Sequence, residues 1–412
     1  DTGDTSWQLG ATSLVLFMTL PGLALYYAGM VRVTNVLATV MQVISIACVI
    51  SILWMVVGYS FAFGPANAGT EGSAVYGDGS RIWLRGMSPH TAHQMAPTIP
   101  EPVFCAYQLT FAVITPALIA GSFADRMKYL PMLMFIMLWH VAVYCPLAHS
   151  FWHPDGYLFK AGSLDFSGGN VVHVSSGISG LVSAFVLGHR KGYRLEKFEP
   201  HNIIFSFMGA CMLWVGWLGF NAGSAYHADG RASMALLVTH ICAATTSITW
   251  TVVEWAQRGK PSVLGAVSGA IAGLVCVTPG SGYINPDGAF FIGLFGGPLC
   301  YLGCQLKHYF GFDDALDSFG VHAVGGVVGV IATGFLATAD VGGYDGVFYS
   351  TDGHGWHRLA KQLYGLVVAI GWSAVGTYAI LKAIDHSVGL RVSAEDEMRG
   401  LDKALHGESL HG

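Results

Sequence analysis

Two short stretches carry the chemistry that can be read first. Residues 172–180 are VHVSSGISG and residues 321–329 are VHAVGGVVG, and both fit V-H-x-x-x-G-x-x-G. Each places one histidine, His173 or His322, inside a run of small and apolar residues. An ionisable group in a membrane-length apolar segment is costly, so it marks a pathway or a site. If two halves of a duplicated bundle meet on a shared axis, the rings come together near the midplane. Two imidazoles in contact cannot both carry charge cheaply, so they would titrate as a pair that shares one proton. Such a pair gives a narrow apolar pore one polar rail, a donor and an acceptor for a small proton-exchanging solute. The competing reading is a pair of buried histidines bonded across helices, and the matched register favours function.

A second set is aromatic. Tyr107 and Phe111 are one turn apart and share a helix face. Trp152 follows the fourth apolar segment, and Phe220 and Ser224 close the sixth. Ring faces attract a cation at about 0.5–2 kcal/mol each, and a hydroxyl adds an acceptor. An interfacial aromatic belt has the same composition, and periodicity does not separate the two. Asp165 precedes the His173 segment. It suits an N-cap, and at the outer end of a cation path it would also lower the local potential.

Positioning these residues takes long apolar helices. The chain has 412 residues, 53% hydrophobic and 11% charged, with 54 glycines. Soluble domains carry about 25% charged residues, so the composition describes one all-α polytopic membrane domain. Spans of about 20 apolar residues are expected near 6–30, 36–63, 101–124, 129–149, 167–188, 202–221, 233–256, 262–279, 287–308, 319–338 and 361–386. YYAG at 26–29 and FNAG at 220–223 end helices 1 and 6, and helices 5 and 10 carry the histidines. Helices 1–5 (about 6–188) and 6–10 (about 202–338) therefore read as inverted five-helix repeats, with helix 11 as a peripheral strut. The membrane domain runs over 1–388 and a polar tail over 389–412.

Six of the 20 basic residues (Arg81, Arg85, Lys160, Arg231, Arg358 and Lys361) fall on the side of the N-terminus and the rest on the other. That split predicts the N-terminus outside and the C-terminus in the cytoplasm. The opening DTGDTSW has neither Met nor a basic region, which leaves a removed signal peptide or a start within a longer chain. The outer segment 65–100 reads as an ordered or semi-ordered loop without chemistry of its own, and nothing near His90 and His93 completes a metal set. The eight cysteines, all in apolar runs, read as packing residues, as do His140 and His240. Glu254 and Arg258 read as a helix-end pair. No basic run suits nucleic acid. Neither a metal nor a cofactor is expected.

Several long stretches carry a resemblance: LVLFMTLPGLALYYAG, YQLTFAVITPALIAG, LDFSGGNVVH, GWLGFNAGSA, PSVLGAVSGAIAGLVCVTPGSGYI, FGVHAVGG and HSVGLRVSAEDEMRGLDKALHGE. From about residue 7 to 408 the sequence resembles the Amt/Mep/Rh ammonium transporters, and the Amt/Mep branch more closely. The resemblance implies a homotrimer of eleven-helix subunits in the plasma or inner membrane, each with its own pore. It places an outer ammonium site on Tyr107, Trp152 and Ser224, a phenyl gate on Phe111 and Phe220, and twin pore histidines at His173 and His322. Asp165 becomes the recruitment-side acid and Thr278 a position near the pore. Tyr107 stands where some members have Phe, which keeps the cage and shifts its affinity. The tail GLDKALHGE is linked in the family to regulation across the trimer and, in prokaryotes, to PII-type proteins.

Ammonium and potassium share charge and similar size, but only ammonium can give up a proton. The expected path is binding as ammonium, deprotonation near the gate and passage of ammonia past the histidines, the proton returning outside or crossing separately. Three other readings compete. An ammonium receptor of this fold would signal with little flux, for which the short tail leaves little output domain. A membrane enzyme lacks support, with no HExxH, nucleophile motif or clustered carboxylates in the spans. A neutral-gas channel of the Rh type fits poorly with Trp152 and Ser224, which suit a cation.

Overall fold

Five of the apolar helices begin on a residue whose side chain accepts from a free N–H group of the first turn. Asp1 accepts from Asp4 N, Asn202 from Phe205 N, Asp229 from Ala232 N, Ser262 from Gly265 N and Asn285 from Gly288 N. Glycines in the left-handed region, Gly259 and Gly311, close two of them, the usual cap asymmetry. A computed structural model describes residues 1–65, 74–351 and 353–410. Part of the outer loop, 66–73, and the last two residues of the tail lie outside the described residues.

The apolar helices are α1 (Thr2–Met30), α2 (Val33–Phe63), α3 (Glu101–Phe123), α4 (129–152), α5 (Gly169–Leu187), α6 (Ile203–Gly223), α7 (Gly230–Arg258), α8 (Val263–Val277), α9 (Pro286–Phe310), α10 (Phe319–Leu336) and α11 (His354–Val388). No strand occurs among the described residues. Ten helices are long and apolar enough to cross a membrane, and α8 is the shorter eleventh. The protein is an all-α polytopic membrane protein with eleven apolar helices. The bounds differ modestly from expectation. Helix α1 starts at residue 2 instead of 6 because Asp1 caps it. Helix α11 starts at 354 instead of 361, because its polar first two turns continue the same helix. Trp152 ends α4 and does not follow it.

Helix α3 lies at the centre, buried almost along its whole length. The outward faces are apolar: Ile52, Ile204, Ile248 and Val375 are each more than 60% exposed, the inverse of a water-soluble surface. Helices α5 and α10 cross closely where Gly177 meets the Ala323 backbone, and a Cβ at Gly177 would overlap it. Small residues of this kind allow membrane helices to approach. Helix α11 straps α4 and α5 together on its inner face: Trp139 Nε1 donates to Ser179 Oγ and Thr377 Oγ1.

The end of the bundle that receives the tail holds a charge network. Arg190 grips Asp313 through Nε and Nη2 at 2.9 and 2.8 Å and reaches Asp125 at 3.3 Å. Burial pulls the Asp313 carboxyl upward, but Arg190 overrides it and leaves its pKa below the usual value. Asn35 donates to Asp125, and its carbonyl oxygen accepts from Leu401 N. Two short helices, α12 (Ala394–Arg399) and α13 (Leu401–His406), form the tail, where Glu397 accepts from Lys191 N and Arg391.

Candidate functional site

The site is assembled around the break between α4 and α5. Gly168 sits at φ 105°, a left-handed conformation that favours glycine, and directs the chain into a π-helical turn over Gly169–Val174. Asp165 fixes that start. One carboxylate oxygen accepts from Gly168 N and Gly169 N at 2.8 and 2.6 Å, the other from Asn170 N and Val171 N at 2.8 and 3.1 Å. Burial pushes the carboxyl pKa upward and the four N–H donors oppose that rise. Asp165 is thus an N-terminal cap whose oxygens turn inward, which accounts for the residue without any contact to a cation.

From this break a column of rings descends into the bundle. Trp152, held by Nε1–H to the Asp165 carbonyl at 2.9 Å, meets Phe111 edge-on at 5.8 Å between centroids. Phe111 stacks on Phe220 at 4.0 Å. Phe220 lies 6.2 Å from His173, and His173 lies 5.5 Å from His322 with the planes 12° apart. His322 also occupies a π-helical turn, Phe319–Ala323. Neither nitrogen of His173 has a hydrogen-bond partner, nor does Nδ1 of His322, and all these rings are at most 7% exposed. The sequence expectation of a proton shared between touching imidazoles meets parallel rings with no hydrogen bond between them.

Above the column opens a cavity of about 380 Å³, lined among others by Trp152, Asp165, Phe166, Ser224 and Tyr226. Tyr107 lies beneath it, fully buried. Its hydroxyl donates to Phe220 O at 2.6 Å and lies 3.2 Å from Ser224 Oγ, so the phenol is spent on the end of α6 while the ring edge meets Phe111 at 5.0 Å. Thr278 accepts from Trp217 Nε1 at 2.9 Å and donates to Leu274 O.

Two participants escaped the sequence reading. Trp217 stacks on His173 at 5.2 Å and is itself held by Thr278, so Thr278 acts on the histidine through the indole. Asn221 donates to Thr239 beside the same threonine. The available signal was spacing, since Trp217 is three residues before Phe220 and shares its face. Cys276 and Cys300 come within 3.8 Å between sulfurs. His140 is buried against Trp54 and Tyr144, whereas His240 packs beside Trp214 on the exposed outer face of its helix. Glu254 pairs with Arg258 and also accepts from Ser262. No group of metal-ligating residues forms among the described residues.

The profile of the Ammonium Transporter Family matches residues 6–410. The chain belongs to the ammonium transporter family. It is 43% identical to the "Ammonium transporter" of Bacillus subtilis, over 99% of this chain and 98% of that protein. It is 42% identical to the "Ammonium transporter" of Aquifex aeolicus, over 100% and 94%. The crystal structure of Saccharomyces cerevisiae Mep2 superposes with a TM-score of 0.86 at 33% identity, covering 96% of this chain and 88% of Mep2. A solved structure named Sensor Amt Protein gives 0.88 at 24% identity, covering 98% of both chains, a likeness of fold alone.

Proposed function

We propose that this ammonium transporter recruits NH4+ at the outer cavity against Trp152 and Ser224, with Tyr107 beneath, deprotonates it at the Phe111–Phe220 stack, the proton returning to the outer water or crossing separately, and conducts NH3 past His173 and His322. The carrying observation is the unbroken ring column from Trp152 to His322, whose last members are imidazoles with unpartnered nitrogens. A bare ion in such a slot costs several kcal/mol, whereas ammonia passes and finds nitrogen donors and acceptors where water is excluded. Trp152 offers a ring to the cation and Ser224 a hydroxyl. Asp165 supports the site by fixing the chain that carries the Trp152 contact, and Thr278 by bracing Trp217.

The setting we propose is a cell membrane, with the N-terminus outside, two inverted five-helix halves and three subunits each with its own pore. The tail, seated on Asn35 and Lys191, is the surface a PII-type regulator would address. Uptake and solid-supported membrane currents with ammonium, methylammonium and potassium test the reading on wild type, His173→Ala and His322→Ala. The expected result is ammonium flux in wild type and a loss of ammonium selectivity in both variants. Unaltered conduction and selectivity in both would remove the role given to the rings. Saturable binding without flux in wild type would instead favour an ammonium sensor of the same fold.

A further inference from the structure

The wall of the outer cavity carries an arginine, which is unexpected for a cation's mouth. Arg231 lines the cavity together with Phe166, Tyr283 and Tyr344. Its guanidinium lies 4.8 Å from the ring centroids of both Phe166 and Tyr283, and Nε donates to Gly282 O at 2.8 Å. Tyr283 meets Tyr344 at 6.1 Å, and Arg358 covers Tyr344 at 4.4 Å while donating to Gly162 O. Neither arginine makes an ion pair among the described residues. The carboxylate that lines the same cavity, Asp165, has both oxygens committed to backbone N–H groups. The aromatic faces fix the guanidiniums without forming an ion pair with them, and the Asp165 carboxylate faces its own backbone donors instead of either arginine.

We infer that Arg231, with Arg358 behind it, is a charge filter: it lets single-charged ammonium reach the aromatic site and excludes di- and polyammonium ions that carry the same head group. This rests on the transport reading above. An aromatic cage binds an ammonium head regardless of what is attached to it. A fixed positive wall repels in proportion to the ligand's charge. For monocations it is a modest uniform penalty that does not separate ammonium from potassium. For a dication the penalty doubles in energy, so its effect on affinity is squared.

Reconstituted wild type, R231Q and R231K are compared for ammonium uptake at low ionic strength, with butylammonium and the 1,4-diammonium ion of butane as inhibitors. In R231Q the half-saturating ammonium concentration falls about threefold, and inhibition by the dication strengthens by about the square, roughly ninefold. Added salt shrinks both differences, and R231K, which keeps the charge, stays within about a factor of two of wild type. A loss of packing at Arg231 would lower the maximal rate in both variants without a salt dependence, and that pattern overturns the inference. Equal inhibition of wild type and R231Q by the dication at low salt overturns it too, while the wild-type uptake in the same assay leaves the transport reading standing.

Discussion

The rings of Phe111 and Phe220 lie face to face, 4.0 Å between centroids and 20° between planes, between Trp152 of the outer cavity and His173. Phe111 comes from α3 and Phe220 from the last turn of α6, so the stack, and the gate proposed for it, depends on how those helices pack. Phe220→Ala removes one half of the stack and admits water to the column. The ratio of ammonium to potassium current is expected to fall by about tenfold or more, since hydration removes a penalty of several kcal/mol. Unchanged selectivity in the variant's solid-supported membrane currents would argue against a gate here.

Asp165 satisfies four backbone donors with one carboxylate. Asp165→Ala leaves them buried and unpaired, at about 1–3 kcal/mol per group before relaxation. The melting temperature in detergent should drop steeply and uptake should fall with it. Asp165→Asn retains one acceptor oxygen and should recover about half of the lost stability. An alanine variant that melts like wild type would show that the turn does not depend on its cap.

Arg190 and Asp313 form a buried bidentate pair. Arg190→Ala leaves the carboxylate uncompensated and should cost about 3–5 kcal/mol, while Arg190→Ala with Asp313→Ala should cost less than the single change. The pH dependence has a defined sign. Because the folded-state pKa of Asp313 is lowered, its stabilising contribution is complete above the ordinary carboxylate pKa of about 3.9 and disappears as pH falls through the folded value. Chemical denaturation of the single and double variants checks the coupling. A double variant less stable than Arg190→Ala would contradict the buried-charge account.

His93 lies flat on Phe104 at 4.4 Å, with Met95 N donating to its Nδ1 and Nε2 facing Phe63 O at 2.9 Å. That pattern requires the neutral ring, and burial holds its pKa below 6.5. An unfolded chain binds the proton more readily, so the contribution is complete above pH 6.5 and is lost as pH falls below it. Wild type should therefore lose more melting temperature than His93→Asn between about pH 7.5 and 5.5. Parallel melting curves would refute the assignment. The same contacts tie the outer loop to the bundle. His93 belongs to the wall behind Trp152, with Gln94 bonded to His153.

Helix number, the Asp165 cap and the matched histidines were legible because each is local: apolar length, an acid just before a helix, a repeated motif. The ring column was only partly legible. Tyr107 and Phe111 share a face by spacing, but spacing does not reveal that Tyr107 spends its hydroxyl on α6. The bracing of His173 by Trp217 and Thr278 joins α5, α6 and the end of α8. It depends on how three helices lean together, which no single segment encodes. The same holds for Arg231, whose significance lies in sharing a cavity with Trp152, far away along the chain.

The wide turns that carry His173 and His322 imply a constraint on length. A residue added to or taken from a helix rotates everything beyond it by about 100°. Trimming one residue from 169–174 or from 319–323 would therefore swing an imidazole off the axis with every ring still present. For this transporter, counting is as much a part of the chemistry as composition, and a silent-looking deletion there should be as damaging as replacing the histidine itself.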